Sequence, residues 1–189
     1  MDDTLSERAA TWPDNVAISD RLGTHTYAEL LVASERGAAR LLEGGRDLGE
    51  GRVVFMVEPS FGYVVAQWAT WRAGGVAVPL CLTDPQPQLE YAIDVTGPVA
   101  AVASSRYAEV LRPLAERRGI RFIELDQLEA DPVELPKVSA DRRAMILFTS
   151  GTTGKPKGVV LTHGGLAAQM RTLSAAWEWA ESDRTLLTL

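Results

Sequence analysis

The sequence predicts an α/β fold, and three observations predict it. Apolar runs of strand length alternate with longer stretches of helical periodicity. Glycine pairs close two of the helical stretches, at Gly44-Gly45 and Gly74-Gly75. The balance of 46% hydrophobic and 23% charged residues is that of an ordinary globular protein, which argues against disordered, collagen-like or coiled-coil architectures. At 189 residues the chain is long enough for one domain, or for one domain and part of a second.

The elements follow in order. Val16-Ala17-Ile18 and His25-Thr26-Tyr27 read as two short strands around a turn at Arg21-Leu22-Gly23. Thr26 and Glu29 stand at capping-box spacing, so a helix starts there and runs to about Leu42. Its inward residues are Leu30, Leu31, Ala38, Leu41 and Leu42, and Gly44-Gly45 ends it. Residues 52–57 form a buried strand, and residues 61–72 a helix with Val64, Val65, Trp68 and Trp71 on one side. A continuous apolar stripe of this kind reads as core packing rather than a ligand platform. A strand at 76–80, a helix near 87–95, a strand at 99–103, a helix at 107–117 and a strand at 121–123 continue the cycle. Cys81 follows an apolar strand with no histidine close by in sequence, so it reads as a buried, inert thiol. His25 reads as strand or surface filler. Two prolines in residues 130–137 mark a connecting loop before a new unit.

Composition narrows the partners. A formal net charge of −6 argues against general nucleic-acid binding, which needs a basic footprint. The single cysteine excludes an internal disulfide and a cysteine-based zinc site of the usual kind, and points to a reducing, cytoplasmic setting. The acidic start lacks the apolar run of a secretory signal, and no segment approaches the ~18 apolar residues of a membrane helix.

The chemistry concentrates between two apolar segments, 144–148 and 159–161. There the chain reads Thr149-Ser150-Gly151-Thr152-Thr153-Gly154-Lys155-Pro156-Lys157-Gly158. Glycines let backbone N–H groups approach an anion, hydroxyls donate further hydrogen bonds, and lysine supplies charge. The chain has three lysines against sixteen arginines, and two of the three stand in this stretch. A flexible ammonium can follow phosphate oxygens through a reaction, where a guanidinium holds one fork geometry. A polar hairpin tip without ligand accounts for the residue types but not for their density. The loop of P-loop NTPases does not fit, because Pro156 stands where that pattern needs its second glycine and Gly158 leads into a strand.

The stretch from Thr149 to Val159 resembles the signature of the adenylate-forming superfamily, which includes acyl-CoA synthetases, luciferases and the adenylation domains of nonribosomal peptide synthetases. Thr26-Tyr27-Ala28-Glu29-Leu30 and the segment from Ala73 to Leu80 are similar to two further family segments, in the same order. The resemblance covers essentially the whole chain. It implies the N-terminal part of the large domain of that fold, with layered sheets and flanking helices. Residues 1–139 would form a first lobe, and 140–189 would start a second that carries the loop.

The resemblance further implies ATP-dependent activation of a carboxylic acid as an acyl-adenylate, with Mg²⁺, followed by thioester formation with CoA. Amino-acid adenylation is the alternative chemistry, and a non-catalytic nucleotide- or partner-binding module the alternative class. Thr149, Ser150, Gly151, Thr152, Thr153 and Gly154 would cradle the phosphates, and Lys157 would supply charge. Thr152 and Lys157 are the implied catalytic pair, and Lys155 takes no direct role. The family's later acidic motifs and its catalytic lysine have no counterpart after Lys157, so the isolated chain is expected to be inactive.

His163 is expected at the entrance of a helix over 165–179, with Thr162 as its cap. Trp177 and Trp179 cannot share one helix face, so one is expected to be buried. The apolar end at 184–189 reads as a strand whose open edge could recruit a partner.

Overall fold

The computed structural model describes residues 5–149, 156–180 and 182–186. A short helix α1 (Leu5–Ala9) leads to a two-stranded antiparallel ribbon, β1 (Val16–Ser19) and β2 (Thr24–Thr26). Helix α2 (Tyr27–Leu42) starts on a complete capping box. Thr26 Oγ1 accepts from the Glu29 N–H at 3.2 Å, and the Glu29 carboxylate accepts from the Thr26 N–H at 2.7 Å. The helix ends one residue earlier than the glycine pair suggests: Glu43 itself takes the left-handed conformation, with φ 48°.

The α/β repeat then follows as β3 (Arg52–Met56), α3 (Phe61–Arg72), β4 (Val76–Pro79), α4 (Gln86–Thr96), β5 (Ala100–Ala103), α5 (Ser105–Glu116) and β6 (Arg121–Glu124). A connecting stretch without strand or helix covers residues 128–139. The last elements are β7 (Arg143–Thr149), β8 (Lys157–Thr162) and α6 (His163–Ala176). Six strands make one mixed sheet in the order β6-β5-β3-β4-β7-β8. All neighbours are parallel except β7 and β8, which form an antiparallel hairpin.

Two cores fix this sheet from opposite faces. Val53 and Phe55 pack toward α2 and α3 with Leu30, Leu41, Trp68 and Trp71. Val54 and Met56 pack toward α4 and α5 with Leu89, Ile93 and Leu111. Successive strand residues point to opposite faces, so a strand covered on both sides must be apolar, and β5 is throughout and β3 from Val53 onward. Trp68 and Trp71 are both core residues. No helix among the described residues is long and apolar enough to cross a membrane.

Three expectations need correction. Cys81 is exposed, not buried: β4 ends at Pro79, Leu80 takes the inward position, and the next residue faces out. Trp177 and Trp179 both lie beyond α6, both exposed, with their rings 5.2 Å apart. Helix α6 begins at His163 and ends at Ala176, so neither indole has a helix face to bury it. Of the strand expected over 184–189, residues 184–186 form none and 187–189 lie outside the described residues; the outer strand on that side of the described sheet is β8.

Candidate functional site

The β7–β8 hairpin places the candidate loop. Its register pairs Leu147 with Val159, Phe148 with Gly158 and Thr149 with Lys157. Thr149 and Lys157 therefore face each other as the last described pair of the ladder, and the Thr149 hydroxyl donates to the Lys157 carbonyl at 3.4 Å. Both residues are exposed. Ser150, Gly151, Thr152, Thr153, Gly154 and Lys155 lie outside the described residues. The strands on either side bring the ends of this stretch together.

Gly158 has a packing role. A Cβ there would stand 3.0 Å from Ile146 Cγ2 and 3.6 Å from the Phe148 ring. Glycine lets that ring lie across the hairpin, where Phe148 packs against the second core.

A groove of about 430 Å³ opens beside the hairpin mouth. Its walls are Val57, Pro59 and Tyr63 after β3, Pro79 to Leu82 after β4, and Leu147 to Thr149 with Pro156 from the hairpin. It thus lies outside the carboxyl ends of three parallel strands, where open α/β sheets bind ligands. Cys81 and Asp84 supply polar groups to the wall. Tyr63 sets its ring edge against Phe55 at 5.2 Å, and burial holds its phenol above the ordinary value. Sequence reading missed this wall because its residues come from separate strand ends.

The opposite end of the hairpin is clamped to the body of the sheet. Arg142 forks onto the Asp47 carboxylate at 2.7 and 2.9 Å and also donates to the Gly74 carbonyl. Arg143 grips Glu50 through its side chain, and its backbone N–H donates to the same carboxylate at 2.7 Å. These hydrogen bonds and charges pull both carboxyls down, Glu50 to about 2, with Arg143 the largest cause; Arg142 is the largest for Asp47. Gly74 has φ 77°, and a Cβ on it would fall 2.1 Å from Asp47 Oδ1, so the clamp requires glycine there.

The Trp71 indole N–H donates to the Ala144 carbonyl at 2.7 Å. The His163 ring stands edge-on to that indole at 5.7 Å. Burial, followed by the charge of Arg142, holds the imidazole below its ordinary pKa. The run Asp141-Arg142-Arg143 ahead of an apolar strand was the available sequence signal for the clamp. Its partners, 93 and 95 residues away, left no local trace.

Comparison with known proteins places the chain as a whole. The family described as AMP-binding enzyme matches residues 5–189. The mitochondrial malonate–CoA ligase ACSF3 of Mus musculus is 41% identical over 194 residues, covering 96% of this chain and 33% of that protein. The chain therefore spans about a third of the length of this curated relative. Among solved structures, apo MatB from Rhodopseudomonas palustris superposes with a TM-score of 0.80 at 31% identity, over 90% of this chain and 36% of that one. The o-succinylbenzoate CoA synthetase MenE from Bacillus subtilis, in complex with its acyl-adenylate intermediate, gives 0.87 at 26% identity, over 99% of this chain and 50% of that one.

Proposed function

The chain belongs to the AMP-binding enzyme family, and from that premise we propose that it is the N-terminal part of an AMP-forming acyl-CoA ligase. The observation that carries the proposal is the hairpin. It sets Thr149 opposite Lys157 at the mouth of a groove at the carboxyl ends of β3, β4 and β7. Residues 149–154 form the cradle for the phosphate tail of ATP, with the Thr152 hydroxyl and the Lys157 ammonium acting on the departing pyrophosphate.

The reaction has two steps. A carboxylate oxygen attacks the α-phosphorus, the new acyl–phosphate bond forms, and pyrophosphate leaves with the electron pair. The thiol of CoA then attacks the acyl carbon, and AMP departs. The first step brings an anion to a polyanion, so its barrier falls when preorganised donors and a cation neutralise the leaving group. Among the described residues no group of three or more His, Cys, Asp or Glu could hold a metal ion. Mg²⁺ would supply further positive charge on the departing pyrophosphate when bound.

The ligase relative and MenE, a CoA synthetase, support a CoA acceptor, and the relative's name supports malonate as the acid. For the boundary between residues 1–139 and 140–189, support comes from the connecting stretch without strand or helix over residues 128–139. We further propose that the 189-residue chain binds ATP without turnover, since it spans a third of that relative. Its compartment is reducing. The cytoplasm satisfies that, and the mouse relative is described as mitochondrial.

The test is ATP titration of the chain followed by amide chemical shifts. Thr149 and Lys157 should move, and Lys157→Ala should weaken binding by about tenfold or more, the worth of a charge-assisted hydrogen bond. Shifts confined to other surfaces would overturn the assignment. Malonate-dependent ATP–pyrophosphate exchange by the isolated chain would overturn its proposed inactivity.

A further inference from the structure

The base of the hairpin holds a half-buried imidazole, one of its nitrogens enclosed, that the proposed reaction does not use. His163 is the first residue of α6 and presents its ring edge to Trp71, 5.7 Å between centroids. Its Nε2 is shut off from solvent and has no hydrogen-bond partner. A neutral imidazole tolerates that position at modest cost, but an imidazolium there has a buried N–H⁺ with no acceptor.

The charged surroundings also disfavour protonation. The backbone N–H of His163 donates to the Arg142 carbonyl at 3.0 Å, and the Arg142 guanidinium repels a proton on the ring. Asp47 is committed to Arg142, and Glu50 to Arg143. Asp141 accepts from Ser139. Helix α3 presents the uncharged Trp71, and the N-terminus of α6 adds the positive end of a helix dipole. Among the described residues no carboxylate lies within ion-pair reach of the imidazole.

The same ring sits where the hairpin joins the body. Trp71 holds Ala144 at the start of β7, and the Gly164 N–H donates to the Ala140 carbonyl at 2.7 Å. Ala144 and Met145 are buried in the first core and Ala77 pairs with Met145, and these side-chain contacts add to that packing where the hairpin joins the body.

We propose that Trp71 and His163 form a proton-sensitive latch that positions the β7–β8 hairpin, and that protonation of His163 releases the hairpin from α3. In its consequence for ATP the latch rests on the reading of the loop given above; as a device of the fold it does not. Protonation loosens the anion site from its far end while the buried parallel strands stay intact.

The chain has two histidines, which makes the test direct. NMR titration follows both imidazoles while amide exchange is measured in β8 and, as an internal folding control, in β3 and β5. His163 should titrate below the ordinary imidazole value. As pH falls from the ordinary imidazole value towards the His163 midpoint, β8 protection, corrected for intrinsic exchange, should fall by up to about tenfold for each pH unit and then level off, while β3 and β5 keep theirs. His163→Phe keeps an aromatic edge on Trp71 and should abolish the pH dependence. Trp71→Phe should lower β8 protection even at neutral pH.

Flat β8 protection through the His163 titration would overturn the latch. So would the same loss of protection in H163F. ATP affinity, measured in parallel, separates the two claims. If ATP fails to bind at any pH while the exchange pattern is as described, the latch stands and the reading of the loop fails.

Discussion

Strands β3 and β7 belong to one sheet yet live in different environments. In β3, Val53 to Met56 are all nearly inaccessible, packed on both faces by helices. Along β7 burial alternates after Ala144 and Met145, and Leu147 is 38% exposed. Its partner β8 leaves Val159 and Val160 45% and 49% exposed, and α6 has no buried residue. The first region is held by apolar area removed from water. The second enters the core at its base through Ala144 and Met145, packs Leu161, Ile146 and Phe148 against it less completely, and adds directed contacts: two arginine–carboxylate clamps, an indole hydrogen bond and an imidazole edge. The difference teaches that the element bearing the candidate chemistry is rooted in the core at its base and leaves it towards its tip, as expected for a segment drawn from the low-stability end of a fold.

The sharpest way to break this comparison is to damage the core. Phe55→Ala should cost about 3–5 kcal/mol in urea unfolding, through lost burial and a residual cavity. A cost near that of a surface change would mean that β3 is not the rigid partner. Trp71→Phe should cost about 1–3 kcal/mol, because it leaves the Ala144 carbonyl buried without its donor. That loss should appear in hydrogen exchange of the hairpin before it appears in β3. Thr26→Ala removes a complete capping box far from the hairpin and should cost about 0.5–2 kcal/mol spread over the whole unit. Val160→Ala, half exposed on β8, should shift stability by no more than about 0.5 kcal/mol.

Acid sharpens the comparison from another side. The folded values of Asp47 and Glu50 are depressed, Glu50 from 4.5 to about 2. Their contribution is therefore present above the unfolded values and is lost as pH falls through the folded ones. The hairpin should lose exchange protection between about pH 4.5 and 2 while β3 keeps it, and added salt should reduce the effect because Glu50 is exposed to solvent. Simultaneous loss in both strands would erase the distinction.

Local chemistry was legible in the sequence. The capping box at Thr26 and Glu29, the turn at Arg21 to Gly23, the tryptophan stripe of α3 and the hairpin strands around residues 149–158 all follow from spacings within a few residues. Misreadings arose where burial depended on distant partners. Cys81 follows an apolar strand but faces the groove, and nothing near it in sequence says which way the chain turns after Pro79. Trp177 and Trp179 follow a helical pattern that stops before them. The groove wall, assembled from three strand ends, left no motif.

By itself, the sequence determined the α/β class, the order of elements and the hairpin strands that flank the glycine- and threonine-rich stretch, because propensity, caps and the hydrophobic period act over a few residues of chain. Tertiary structure alone decided that β7 lies beside β4, that Arg142 and Arg143 find Asp47 and Glu50, and that His163 is shut in against Trp71. Such pairings depend on which surfaces meet once the chain has closed loops of many tens of residues. The energy of that closure is set by shape and solvent exclusion, which no local run of residues encodes.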